Sequence, residues 1–208
     1  MPLEIDHVIV AVRDLETAAA RLRAEHGLEA LPGGRHPGHG TANMIVPLGP
    51  DYLELMAVVD ADEAAASALG RFVVEFVAAG PDRPMAVCLR TDDIAAVGSR
   101  LGLEPLAMTR TRPDGVTLAW HLAGLDGALG PERLPFFIEW HVDPADHPGR
   151  GAASHEQAVS GLAWVEVGAD PETLSTRLGG AHVPLRVVDG PPGPQRVAVA
   201  TPAGDLVI

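Results

Sequence analysis

An α+β fold built from a repeated βαβββ unit is predicted by three features of the sequence. A strand rich in β-branched residues, a helix and several short strands recur along the chain. The helix carries a fixed signature: Asp14, Arg21 and Leu22 return as Asp93, Arg100 and Leu101, 79 positions on, and as Asp170, Arg177 and Leu178, 156 positions on. A glutamate also interrupts an apolar strand twice, in Tyr52-Leu53-Glu54-Leu55 and in Phe137-Ile138-Glu139-Trp140.

In the first unit, residues 1–58, Ile5 to Val12 reads as a strand interrupted by His7. Asp14 is a good helix N-cap, Leu15, Ala18, Ala19 and Leu22 follow at helical spacing, and His26-Gly27 stops the pattern. A loop rich in Gly, His and Pro leads to strands around Thr41–Leu48 and Tyr52–Val58, separated by the turn Gly49-Pro50-Asp51. Residues 59–83 hold one inserted, alanine-rich helix. Residues 84–143 form a second unit and residues 144–160 a polar linker of flexible composition. Residues 161–208 form a third, whose helix opens on Asp170-Pro171 and ends at Gly179-Gly180. The 79-residue offset sets Ala86 opposite His7, and the third unit has Ala163 there.

Composition excludes several classes of function. The formal net charge is −13 and all 15 basic residues are arginine, so lysine chemistry is absent and nucleic acid is a poor partner. No apolar run reaches the roughly 20 residues of a membrane span, and the N-terminus has no basic segment before an apolar one; a cytoplasmic location is expected. The one cysteine, Cys88, sits in an apolar strand as a small core residue. GxSxG, CxxC, HExxH and GxGxxG are all missing.

The candidate chemistry gathers in residues 34–56. Glu54 lies mid-strand among apolar neighbours, where a carboxylate needs a partner, and His36 and His39 flank a Pro-Gly turn just upstream. Arg35 suits a substrate carboxylate, and Trp120, His121 and Trp140 suit the wall of a partly apolar pocket. His26, His147, His155 and His182 fall at a helix end, in polar loops or at a strand start and carry less weight.

Ile5-Asp6-His7-Val8, Arg35-His36-Pro37-Gly38-His39-Gly40-Thr41-Ala42-Asn43, Pro47-Leu48-Gly49, Tyr52-Leu53-Glu54-Leu55 and Leu134 to Trp140 together resemble the glyoxalase-like domain proteins of the vicinal oxygen chelate superfamily. That resemblance covers most of the chain. It implies two modules pairing their curved sheets into a half-open barrel around a cleft, in which a divalent metal is held by first-strand and last-strand residues of both modules. Carried over by position, His7, Glu54 and Glu139 are the ligands and Ala86 is a departure. His141, two residues past Glu139 and on the same side of a strand, is a substitute ligand; His39 and His121 are further candidates. Such a donor set suits Zn, Ni, Mn, Co or Fe.

The expected function is that of a divalent-metal-dependent isomerase or lyase on a small oxygenated metabolite, working through an enolate-like intermediate. Glu54 or Glu139 would carry the proton, and Arg35, His36, His39, Asn43, Trp120, His121 and Trp140 would hold the substrate. The alternative is a metal-free binding or sequestering protein on the same scaffold. A homodimer is expected if the unpaired third unit pairs with its copy.

Overall fold

The computed structural model describes residues 2–112 and 115–208. Strand β1 (Glu4–Ala11) leads into helix α1 (Leu15–His26), where the Asp14 carboxylate accepts the Thr17 N–H at 2.8 Å and Gly27 closes the helix at φ 66°. Strands β2 (Leu31–His36), β3 (Thr41–Pro47) and β4 (Tyr52–Val58) complete the first unit. The expected single inserted helix is two, α2 (Ala61–Ala66) and α3 (Ala68–Ala78). They divide at Ser67, an extended residue whose hydroxyl caps the second helix by accepting the Gly70 N–H at 2.8 Å.

The second unit is β5 (Arg83–Arg90), α4 (Ile94–Leu101), β6 (Leu106–Thr111), β7 (Thr117–Ala123), a short helix α5 (Leu125–Leu129) and β8 (Phe136–Trp140). The two units share one eight-stranded sheet in the order β2-β3-β4-β1-β5-β8-β7-β6, curled into a half-barrel. Its centre is the antiparallel pair β1–β5, with β4 parallel to β1 on one side and β8 parallel to β5 on the other. The two halves are therefore related by an approximate two-fold axis through that central pair.

The third unit, β9 (Leu162–Gly168), α6 (Pro171–Leu178), β10 (Leu185–Val188), β11 (Gly193–Thr201) and β12 (Gly204–Val207), keeps the element order and changes the strand order. Here β9 lies between β10 and β11, in a separate four-stranded sheet β10-β9-β11-β12. Val165, Val167, Val197 and Val199 from this sheet join Val8, Val10, Leu53, Leu89 and Phe137 in one core cluster, so the third unit covers the convex face of the half-barrel. Full burial of a side chain such as Phe137 stabilises the fold by roughly 1.5–3 kcal/mol. On the concave side Val73 and Phe76 of α3, with Ala128 of α5, fill part of the barrel against Ile9, Cys88 and Ile138. What they leave open is the cleft.

Residues 144–160 are not a loose tether. Two 3-10 turns, Pro144–Asp146 and Pro148–Arg150, hold them along β3. Gly49 donates its N–H to the Gly149 carbonyl at 2.8 Å, and His155 is held between the Glu29 N–H and the Pro47 carbonyl.

Asp51 joins the third unit to the barrel. Both its carboxylate oxygens accept the Leu162 N–H at 2.9 Å, and burial pushes its carboxyl up to about 6, the Leu162 bond pulling the other way. From about pH 4 to 6 the unfolded chain has released this proton while the folded chain keeps it, so Asp51 makes stability fall as pH rises through that window. Asp51→Asn keeps an acceptor for Leu162 and removes the buried charge. It is expected to flatten that slope and to stabilise the protein at pH 7.5 by about 2 kcal/mol. Urea titrations at pH 4.5 and 7.5 read this directly; parallel pH profiles for the two proteins would refute the assignment.

Candidate functional site

The site begins with a slip in register. Ile5 pairs with Leu89 and His7 with Cys88, which leaves Asp6 as the extra residue of a β-bulge in β1. A bulge lets two consecutive residues turn to one side of a strand, which regular alternation forbids. Asp6 and His7 accordingly meet: Asp6 Oδ1 lies 2.7 Å from His7 Nδ1.

Asp6 is fully buried and collects donors from three further segments. Its Oδ2 accepts from Trp140 Nε1 at 3.0 Å, from His147 Nε2 at 3.0 Å and from Arg90 at 3.4 Å. Burial opposes the charge, but hydrogen bonds from His147 and His7 outweigh it and hold the carboxyl well below the usual carboxylate range. The network also assigns the tautomers. Gly149 N–H donates to His147 Nδ1 at 3.1 Å, so the proton of that ring is on Nε2 and points to Asp6. His7 donates Nδ1–H to Asp6, and in the neutral ring Nε2 therefore keeps its lone pair. Stacking on Tyr52 at 4.6 Å and an edge contact with Phe136 at 5.7 Å fix the imidazole plane.

His7 Nε2 faces Glu54 Oε2 at 3.7 Å. The other oxygen of Glu54 accepts from Asn43 Nδ2 at 2.7 Å and lies 3.7 Å from His36 Nε2, and the Asn43 carbonyl accepts from Arg110 at 3.2 Å. Arg110, Asn43 and Glu54 thus form a relay from edge strand β6 across to β4. Gly33 makes room for it, since a Cβ there would come within 2.1 Å of the Asn43 side-chain oxygen. His36 is anchored to Thr41 Oγ1 at 2.9 Å, and burial keeps its ring below the ordinary histidine value, against the pull of Glu54. Gly40 fixes the turn between His39 and β3: at φ 63°, a Cβ would meet the Ala64 nitrogen at 2.3 Å. His39 Nδ1 is the one buried side-chain polar atom without a hydrogen-bond partner among the described residues.

These groups line one end of a cleft of about 350 Å³. Trp120 and Trp140, with ring centroids 5.3 Å apart, wall the rest together with Phe136, Ile138, Met56 and Met108. Of the residues proposed from sequence, His7, Arg35, His36, His39, Asn43, Glu54, Trp120 and Trp140 are brought together here. Arg35 sits at the rim, within 3.7 Å of Asp60 and 3.5 Å of Glu63.

Three residues proposed from sequence are elsewhere. Phe136, Ile138 and Trp140 line the cleft, so alternation along β8 turns Glu139 to the opposite face, where it accepts the Ile94 N–H at 2.9 Å and caps α4. His121, opposite Glu139 on β7, also points outward and meets His141 at 2.6 Å. The pairing of Glu54 with Glu139 is off by three residues. Ile9 faces Glu54 across β1–β4, and Cys88, the two-fold counterpart of Ile9, faces Phe136 across β5–β8. Phe136 therefore stands where Glu54 stands in the first module, and Ala86 where His7 stands.

The divalent-metal site expected from the resemblance does not fit these residues. Two of its four positions are apolar, and Glu139 and His141 face away. Among the described residues one group of three donors lies within 4.8 Å of one another, Asp6, His7 and Cys88. There the oxygens of Asp6 are already taken by hydrogen bonds, and burial pushes the Cys88 thiol well above its ordinary value. Sequence reasoning missed Asp6, Arg110 and His147. The only sequence signal was a carboxylate beside His7, and strict strand alternation places it on the wrong face.

No helix among the described residues is long and apolar enough to cross a membrane. No protein of curated function matches the sequence. Among solved structures, a hypothetical protein from Staphylococcus aureus superposes with TM-score 0.66 at 20% identity, over 99% of this chain and 84% of its own, and shares the fold. A variant of Streptomyces coelicolor methylmalonyl-CoA epimerase in complex with 2-nitronate-propionyl-CoA follows at TM-score 0.48 and 19% identity, over 66% of this chain and 97% of its own. Methylmalonyl-CoA epimerase from Mycobacterium tuberculosis has TM-score 0.45 and 18% identity, over 65% and 85%. The family model for the glyoxalase-like domain matches residues 5–181, and with the half-barrel described above the chain belongs to the glyoxalase-like domain family.

Proposed function

We propose that this protein is an isomerase-type enzyme that moves a proton on a small oxygenated metabolite, with His7 as the base. One observation carries the reading: Asp6 fixes the His7 tautomer so that the Nε2 lone pair faces the cleft, 3.7 Å from Glu54. His7 Nε2 takes a proton from a carbon beside a carbonyl. The C–H electron pair becomes the enolate double bond, and the negative charge passes to the carbonyl oxygen.

Arg110, which lines the cleft and is oriented by Asn43, is the cation that faces the developing oxyanion. Glu54 is the second proton carrier, so a proton taken by His7 is replaced from a different direction. The Trp, Phe and Met walls take the apolar body of the molecule.

Metal-stripped protein is expected to exchange deuterium from solvent into the carbon beside the carbonyl of a 2-oxo acid or 1,2-dicarbonyl, read by mass spectrometry. Exchange that appears only after Zn, Ni, Mn, Co or Fe(II) is added would overturn this reading. It would favour a metalloenzyme with donors from the first module alone, since His36 Nε2 also lies 3.7 Å from Glu54. Ligand binding without exchange under any of these conditions would identify a sequestering protein.

A further inference from the structure

Tyr52 is the one tyrosine of the chain, and its hydroxyl has no hydrogen-bond partner among the described residues. It opens β4 and pairs with His7 across β1–β4. Alternation along β4 sets it on the same face as Glu54 and Met56, and all three line the cleft. The residue is 4% exposed; its ring lies flat on the His7 imidazole with centroids 4.6 Å apart and meets His147 edge-on at 5.7 Å. The hydroxyl oxygen itself is not enclosed, since His39 Nδ1 alone is both enclosed and unpartnered among the polar side-chain atoms of the described residues. It therefore opens onto the cleft that Tyr52 lines, with His7, Glu54 and Arg110. Burial and the charges of Asp6 and Glu54 keep the phenol well above its ordinary value, against the pull of Arg110, so it stays a donor. A phenylalanine would make the same ring contacts without a hydroxyl that nothing in the protein answers. The fold has no use for this O–H; a ligand in the cleft does.

We propose that the Tyr52 hydroxyl donates a hydrogen bond to the substrate oxygen that becomes negative when His7 removes the neighbouring proton. The proposal rests on the proton-transfer reading for the identity of that oxygen; the meeting of the hydroxyl with an oxygen of the ligand does not. The phenol keeps its proton throughout, and its O–H adds a neutral donor to the Arg110 guanidinium. In a cleft walled by Trp120, Trp140 and Phe136 such a bond strengthens as charge develops on its acceptor, so it favours the enolate over the ketone. One side chain thus serves the reaction twice. Its ring fixes the imidazole plane of His7, and its hydroxyl holds the oxygen that the departing proton leaves charged.

Tyr52→Phe separates the two roles, because it keeps the stack on His7 and deletes only the hydroxyl. In metal-stripped protein the variant is expected to unfold at the same denaturant concentration as the wild type or a higher one. Its deuterium exchange into a 2-oxo acid is expected to fall by about 10²–10³-fold, in kcat rather than in KM. Oxalate, a planar dianion shaped like the enolate of a 2-oxo acid, is expected to bind the variant at least about tenfold more weakly by calorimetry. Fluorotyrosine incorporation labels one residue, and its single fluorine resonance is expected to move as oxalate saturates the wild type. Exchange and oxalate affinity within about twofold of the wild type, a resonance that stays fixed, or no oxalate binding at all would each overturn the proposal. So would a variant that loses stability along with exchange, because the hydroxyl would then hold the fold. No exchange in the wild type, with oxalate affinity still lowered in Tyr52→Phe, would remove the proton-transfer reading and leave Tyr52 as a hydrogen-bond donor to the bound ligand.

Discussion

Asp6→Ala is expected to lower the free energy of unfolding by about 3–5 kcal/mol, the range for removing one partner from a buried charged network. Asp6 is fully buried and accepts from His7, His147 and Trp140, with Arg90 at 3.4 Å, so its loss strands donors on four segments at once. Its carboxyl is depressed in the folded state. Its contribution is therefore present above the ordinary carboxylate value of 3.8 and lost as pH falls toward the folded value. Denaturant melts of wild type and variant should differ fully at pH 7 and converge below about pH 4. A difference under about 1 kcal/mol at pH 7 would mean that these donors are satisfied by solvent and that Asp6 is no hub.

His7→Ala is expected to reduce deuterium exchange by about 10²–10⁴-fold, the usual contribution of a positioned general base, while ligand affinity changes far less. His147→Phe tests the same base at a distance. It removes the second imidazole from Asp6 without touching the cleft floor, so it should shift the pH profile of exchange more than it changes ligand binding. An exchange rate unchanged in His7→Ala would move the base to Glu54.

The frame of this fold was legible because its signals are local. Asp14, Asp93 and Asp170 each cap a helix through a backbone N–H three residues on, and Gly27, Gly102 and Gly179 each end that helix in the left-handed region. The spacing between these caps makes Ala86 the equivalent of His7 in the second unit, and the register of β1–β5 agrees, with Ile9 against Ala86 and His7 against Cys88. The pairing of Glu54 with Glu139 failed because nothing local fixes it. The connection into β8 contains an extra helix, Leu125–Leu129, which breaks the constant offset, so the match rested on two glutamates looking alike. The Asp6 hub was illegible for a different reason. Its partners lie 84, 134 and 141 residues away, and the bulge that turns it inward leaves no mark in the hydrophobic pattern.

The three arginines of the repeated helix signature show how one pattern serves different ends. Arg21 pairs with Asp82 at 3.1 Å, Arg100 donates to the carbonyls of Thr176 and Arg177 at the end of α6, and Arg177 is buried over Phe137 and donates to the Pro135 carbonyl. The second and third thereby fasten the outer sheet to the barrel.

His147 reaches Asp6 from the segment that connects the barrel to that outer sheet. The eight-stranded half-barrel supplies nearly all of the cleft wall, but the Asp6 carboxylate that holds the His7 proton is itself held by a residue outside it. A protein trimmed to the two barrel modules would lose more than a supporting layer: Asp6, the partner of His7, would lose one of the hydrogen bonds that keep it charged. If His7 is the base proposed above, the segment after the barrel belongs to the acid–base apparatus, and a nick within it would act on the chemistry before it acted on the fold.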